Sequence, residues 1–110
     1  MPQIDLLPPR LRDLSISRSE IVLPMAEALE ALDLLESQGE QILGWEGWVK
    51  DTEGRVGHGS APQGTVSLHE LSVHEAAQLC RETIPRGALE WAQDNPGTTD
   101  ALHFCITVRA

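Results

Sequence analysis

ALHFCITV, residues 101–108, is the clearest strand pattern in the chain. Its even-numbered positions are all large and apolar: Leu102, Phe104, Ile106 and Val108. Its odd-numbered positions are small or polar: Ala101, His103, Cys105 and Thr107. Successive side chains of a strand point to opposite faces. One face of this strand is therefore apolar and the other mixed, which is typical of a sheet that is covered by helices on one side.

An amphipathic helix is predicted over residues 24–38. Its apolar half comprises Met25, Ala28, Leu29, Ala31, Leu32 and Leu35. Pro24 suits a first helical position, and Gly39 suits the left-handed residue that follows a helix. Leu34 falls outside the apolar half, so we expect it to point outward among the acidic residues.

A hairpin is predicted after this helix. Residues 41–51 (QILGWEGWVKD) have the composition of a strand that is apolar on both faces, with Gly44 and Gly47 marking a bulge or a close backbone approach. Residues 51–54 form a turn, and residues 55–58 are a short return strand. Residues 57–64 (GHGSAPQG) are a loop by composition, and residues 65–68 are a candidate short strand.

A second helix is predicted from Ser72, which has capping-box spacing with Glu75. Its apolar stripe comprises Val73, Ala76, Ala77, Cys80 and Ile84. Pro85 is expected to end or kink the helix, leaving residues 85–93 as a further short helix. Residues 94–97 read as a turn.

These elements predict a small α+β domain, with a three- to four-stranded, mainly antiparallel sheet and two or three helices packed on one face. A length of 110 residues matches one domain, which we place at residues 20–110. Residues 1–19 are expected to be an extended lead-in because of Pro2, Pro8 and Pro9, with a candidate edge strand over residues 11–17.

Charge and composition exclude several classes of function. A net charge of −9 argues against a nucleic-acid binder and against an anionic membrane surface. No apolar run is long enough to span a bilayer, and the N-terminus lacks the pattern of a secretory signal. Cys80 and Cys105 are too few for a disulfide framework. We therefore expect a cytoplasmic protein with two reduced, buried thiols.

Metal, nucleotide and thiol sites are each poorly supported. His69 and His74 would lie about 140° apart on a helix, so they share no ligand face. The loop at residues 57–64 begins G-x-G but has Pro62 where a dinucleotide fingerprint needs glycine. His103 and Cys105 share a strand face but lack a base-orienting third group. We predict no catalytic residue, no metal and no cofactor.

The uneven distribution of charge stands out most clearly. Residues 20–53 hold nine acidic side chains against Lys50 alone. Four of them follow the predicted first helix at a spacing of three: Glu27, Glu30, Asp33 and Glu36. Such like-charge pairs destabilise a helix by a few tenths of a kcal/mol each. One interpretation is that the acids keep the domain soluble. The other is a negative face that steers and docks a basic partner.

Two tryptophans flank Glu46 in the motif Gly44-Trp45-Glu46-Gly47-Trp48. Their spacing of three places Trp45 and Trp48 on opposite faces of a regular strand. At least one is expected in the core, and the other is expected to be exposed beside the acidic helix. An exposed tryptophan next to carboxylates is typical of an interface anchor.

The chain also resembles one of the immunity-protein families of bacterial polymorphic toxin systems. The resemblance covers residues 20–108. It rests on the helix segment at 28–35, LGWEGW at 43–48, PQGT at 62–65, CRETI at 80–84, Trp91 and FCI at 104–106. It implies a small cytoplasmic protein, without catalytic residues, that binds and neutralises a toxin domain. The expected partner is a basic toxin domain, and the expected partner-binding residues are Glu27, Glu30, Asp33, Trp45, Glu46 and Trp48.

Two other functions stay open at this point. The first is a small enzyme or ligand-binding domain that uses the 57–64 loop, His58 and His103. The second is a structural subunit whose acidic face is only solubilising.

Overall fold

A computed structural model describes residues 2–58, 61–62, 64 and 68–109, with only the backbone of His69. The strands are β1 (Ile21–Leu23), β2 (Ile42–Lys50), β3 (Val56–Gly57) and β4 (Ala101–Val108). The α-helices are α1 (Pro9–Leu14), α2 (Met25–Ser37) and α3 (Val73–Asp94), and short 3-10 helices cover Gln3–Leu6 and Leu68–Glu70. The predicted α+β class is confirmed.

The sheet is antiparallel throughout, in the order β1-β4-β2-β3. The ALHFCITV strand, β4, is therefore central. The predicted strand at residues 41–51 is confirmed as β2, and the return strand at 55–58 as β3. The pairing of β2 with β4 shifts register between Ile42 and Gly44, which confirms the predicted bulge.

Helices and sheet meet at a single core on one face of the sheet. Phe104, Ile106 and Val108 of β4 lie in this core, as the alternation predicts. Ala28, Leu32 and Leu35 contribute from α2, and α3 contributes Ala76, Ala77, Cys80 and Ile84. Met25, expected on the apolar half of α2, is exposed, whereas Leu34, expected to point outward, packs partly against the core.

The two long helices begin and end largely as their sequences predict. Pro24 is the N-cap of α2 rather than its first helical residue. At the other end Gly39 has φ +75°, and the N–H of Glu40 donates to the carbonyl of Leu35 at 2.9 Å. This is a Schellman cap. The capping box of Ser72 and Glu75 is confirmed at the start of α3.

Helix α3 runs through Pro85, where we expected an end or a kink, and continues to Asp94. Proline removes one backbone hydrogen bond within a helix. Ile84 and Gly87 on either side of it are buried, so packing against the core holds the helix together across the interruption. The short helix expected at residues 85–93 is therefore the second half of α3.

The prediction of an extended lead-in at residues 1–19 is wrong. Ile4, Leu7 and Leu11 are buried in the core, and Pro9 occupies the first turn of α1, where proline needs no N–H partner. The side chain of Gln3 bonds the backbone N–H and carbonyl of Val108, which ties this segment to β4. The edge strand expected at residues 11–17 is instead helix α1 followed by a bend, and β1 forms the edge of the sheet next to β4.

Residues 59–60, 63 and 65–67 lie outside the described part of the chain. The candidate strand at residues 65–68 therefore stays a prediction, apart from Leu68, which begins a 3-10 helix. The 57–64 loop is described at 57, 58, 61, 62 and 64.

Candidate functional site

The acidic row of α2, which comprises Glu27, Glu30, Asp33 and Glu36, faces arginines of the same chain. Arg81 of α3 donates from Nε to Asp33 Oδ1 at 2.8 Å, and its Nη2 pairs with Glu36. Arg10 of α1 pairs with Glu30. The row therefore lies between two neighbouring helices that supply the counter-charges, and it cross-links α2 to α1 and α3.

These contacts hold the carboxylates in their charged form. A hydrogen bond from Arg10 lowers the pKa of Glu30. Hydrogen bonds from Arg81 and then from His74 lower the pKa of Glu36. The hydrogen bond and the charge of Glu30 raise the pKa of Arg10, and the charge of Glu27 adds to this effect. Glu27 itself has no ion pair with a described residue. Glu30 and Asp33 are therefore not isolated charges, because each is paired with an arginine of the same chain. Their role in binding a partner stays a prediction.

Trp45 lies on the core face of β2. Its side chain is 3% exposed, its indole Nε1–H donates to Thr83 Oγ1 at 2.9 Å, and its ring meets Phe104 edge-on at 5.3 Å. The expected role of Trp45 in partner binding is therefore wrong, since a partner has no access to it. The prediction that Trp45 and Trp48 point to opposite faces is confirmed.

Three glycines make room for Trp45 and for Pro62 beside it. A Cβ at Gly64 would lie 1.6 Å from the carbonyl oxygen of Trp45, and one at Gly87 would lie 2.9 Å from the tip of its indole. A Cβ at Gly47 would lie 2.8 Å from the Pro62 ring. The 61–64 segment therefore lies directly against β2. Gly64 and Gly87 carried no signal in the sequence that linked them to Trp45.

The opposite side of the sheet is the open face, with the described side chains of Val22, Glu46, Trp48, His103 and Cys105. Register places these residues together, because Trp48 pairs with His103, Glu46 with Cys105, and Cys105 with Val22. The core that the helices cover contains neither Val22 nor Cys105. Val22, Cys105 and His103 are nonetheless buried, at 0%, 1% and 8% exposed. The accessible part of this face is therefore Glu46, which is exposed, and Trp48, which is partly exposed.

Trp48 is held at the centre of a small group of polar side chains. Its indole Nε1–H donates to Glu46 Oε1 at 3.2 Å. The His58 ring meets the indole edge-on at 5.4 Å, and His58 Nδ1 lies 3.2 Å from the carbonyl oxygen of Gly47. With His103 paired on the other side, the structure brings His58 and His103 to the two flanks of Trp48. The sequence pointed to each of these residues but not to their grouping.

The thiol–imidazole pair on this face is poorly suited to nucleophilic chemistry. Cys105 is buried, and its Sγ–H donates to Glu20 at 3.5 Å. Burial, together with the carboxylates of Glu20 and Glu46, raises the pKa of Cys105 to about 12. Burial also lowers the pKa of His103. The thiol therefore stays protonated at neutral pH, and a reactive cysteine needs the opposite environment.

Several hollows adjoin the described residues. One, of about 580 Å³, is lined by residues of both charge signs near the N-terminus, including Arg12, Asp13 and Arg18. The hydroxyls of Ser15 and Ser17 in its wall are engaged in hydrogen bonds with the local backbone. Another, of about 150 Å³, lies beside β2 and is lined by Glu46, Gly47, His58, Ala61 and Pro62.

No group of histidine, cysteine and acidic side chains suited to a metal ion occurs in the described part of the chain. Across the same residues, no helix combines the length and the apolar composition that a membrane crossing requires. Searches against protein-family models, curated proteins and solved structures found no significant match to the chain.

Proposed function

We propose that this protein is an immunity-type inhibitor that binds a basic toxin domain in the cytoplasm and blocks it through the open face of the sheet. The observation that supports the proposal best is Trp48, a partly exposed tryptophan bonded to the exposed carboxylate of Glu46. Tryptophan anchors with nearby charged groups are enriched among the residues that carry most of an interface's binding energy.

The charge of the open face also supports a basic partner. Glu20 and Glu46 form no ion pair with a described residue, unlike Glu30, Asp33 and Glu36 on α2. Lys50 is the basic residue that β2 contributes to the same face. A net charge of −9 also accelerates the encounter with a basic protein. This proposal moves the binding surface from the acidic row of α2 to the open face.

The alternative function, an enzyme or ligand-binding domain built on the 57–64 loop and His103, has less support. The hollow beside His58 is about 150 Å³, whereas pockets for small molecules measure about 300–1,000 Å³. The adjacent thiol is protonated, which removes the obvious nucleophile.

Co-expression with the product of the neighbouring gene tests the proposal. Host growth should be restored by the wild-type chain and not by the double variant Trp48→Ala, Glu46→Gln. The matched control is Glu90→Gln, which makes the same charge change on the exposed side of α3. Calorimetry with the purified pair should show tight binding. Stopped-flow tryptophan fluorescence should show an association rate that falls as salt rises.

Two results would overturn the proposal. If the purified pair does not associate and growth is not restored, the chain is not the inhibitor of that protein, and the solubilising role of its acids gains support. If the double variant protects as well as the wild type, the open face is not the inhibitory surface.

A further inference from the structure

We propose that Glu46, Trp48 and His58 form a receptor for one arginine side chain of the protein partner. This inference rests on the proposed function, because it assigns the chemistry of the group that the open face binds. Three features of the site support it: the fixed geometry of the three side chains, the size of the hollow that Glu46 and His58 line, and the charge that remains unsatisfied there.

The three side chains are held in position before any partner arrives. The Trp48 indole donates to Glu46 Oε1, which fixes both groups on one strand. The imidazole of His58 is held from two directions, by the Trp48 ring and by the carbonyl oxygen of Gly47. Gly47 is itself buried under Pro62, and its N–H donates to the carbonyl oxygen of Pro62 at 3.3 Å. A preorganised site loses less conformational entropy on binding.

The hollow beside these groups is too small for a typical ligand but suits the end of one long side chain. Its volume is about 150 Å³, and its walls comprise Glu46, His58, Gly47, Ala61 and Pro62. One wall is acidic and another is formed by the proline ring. A side chain with an aliphatic stem and a positive end matches this combination of surfaces.

The remaining hydrogen-bonding capacity favours arginine over lysine. Glu46 Oε1 accepts from Trp48, and Oε2 has no partner among the described residues. A guanidinium donates to a carboxylate through a planar fork and stacks on aromatic rings, which an ammonium does less well. His58 supplies a ring and Glu46 the charge within the lining of the hollow. Trp48 is outside that lining but contacts both of them, so it offers a second ring at the edge of the hollow.

The basic and acidic groups near the site do not remove its negative charge. Lys50 lies on the same face two residues beyond Trp48, and it forms no ion pair with a described carboxylate. Glu20 lies near Cys105, on the other side of Glu46, and adds negative charge. The open face around the hollow thus complements a cation.

NMR titration of the intact chain tests the inference with two probes, N-acetyl-arginine methylamide and its neutral isostere N-acetyl-citrulline methylamide. The arginine probe should produce a saturable shift of the Trp48 indole N–H resonance, and the citrulline probe should not. The Trp45 indole N–H is the internal control, because it is bonded to Thr83 in the core. Glu46→Gln should lower the affinity of the chain for the arginine probe by about ten-fold or more. Glu90→Gln should leave that affinity unchanged.

Equal shifts with both probes, an unchanged affinity in Glu46→Gln, or parallel movement of the Trp45 resonance would each overturn the inference. Circular dichroism of Glu46→Gln separates lost binding from lost folding. The inference and the proposed function fail in distinguishable ways. If the chain neutralises the toxin but does not bind the arginine probe, only the arginine receptor is refuted. A chain that binds the probe but neutralises no toxin refutes only the inhibitory function.

Discussion

Gly87→Ala should have two opposing effects on stability at one buried site of α3, a gain in helix propensity and a loss from overpacking. Gly87 is buried in the middle of the helix, and an added Cβ would lie 2.9 Å from the tip of the Trp45 indole. The indole has little freedom to move away. It is 3% exposed, it donates to Thr83 and it packs against Phe104.

The two effects have similar magnitudes and opposite signs. Alanine is favoured over glycine inside a helix by about 1 kcal/mol. Overpacking a well-filled core costs about 1–3 kcal/mol. We expect the packing effect to prevail, so Gly87→Ala should lower the free energy of unfolding by about 1 kcal/mol. In a Trp45→Phe background the indole tip is absent. Gly87→Ala should then raise the free energy of unfolding by about 1 kcal/mol.

Urea denaturation followed by far-UV circular dichroism measures all four members of this double-mutant cycle. The expected coupling energy is about 2 kcal/mol, within the range that residues in contact show. The matched control is Ala92→Gly, at an exposed position of the same helix, which reports the helix propensity difference without the packing. The reasoning is refuted if Gly87→Ala stabilises the wild-type chain, or if its effect is the same in both backgrounds.

Three further predictions concern caps, ion pairs and thiols. Ser72→Ala removes the capping box of α3 and should cost about 1 kcal/mol in urea denaturation; no loss would show that packing alone starts the helix. Arg81→Gln should lower the melting temperature at neutral pH, more than the matched exposed variant Arg86→Gln, by a margin that shrinks with added salt. Because the folded pKa of Glu36 lies below its ordinary value of 4.5, its stabilisation is present above that pH and is lost as pH falls through the folded value. Melting curves of wild type and Arg81→Gln should therefore converge in acid, and a constant difference would contradict the assignment. Cys105, buried and with a pKa of about 12, should resist iodoacetamide at pH 8 and react only in denaturant, as mass spectrometry would show; rapid native labelling would refute its inertness.

Local patterns were enough to predict most of the elements. The alternation in residues 101–108 predicted a strand with one core face, and the Ser72–Glu75 spacing predicted where α3 begins. The N-terminal segment and the passage of α3 through Pro85 were missed for a common reason. In both places prolines disfavour regular structure locally. The apolar side chains nearby pack against residues distant in the sequence, and this packing outweighs the local preference.

The candidate site was only partly predictable. Trp45, Glu46 and Trp48 stood out because two tryptophans flanking a glutamate are unusual for a strand in a chain with 4% aromatic residues. Their grouping with His58 and His103 depends on strand pairing. Register is set by long-range contacts, so a single strand's sequence does not reveal which residues lie opposite it.

The charge row on α2 separates most clearly what sequence and structure each determine. Sequence alone determined that Glu27, Glu30, Asp33 and Glu36 share one side of a helix, because helical periodicity is a local property. Tertiary structure decided what that side faces. Arg10 and Arg81 lie 20 and 48 residues away from their partners Glu30 and Asp33. Only the packing of α1 and α3 beside α2 brings them within hydrogen-bonding distance. That packing pairs Glu30, Asp33 and Glu36 with arginines of the same chain, whereas Glu46 on the open face forms no ion pair with a described residue.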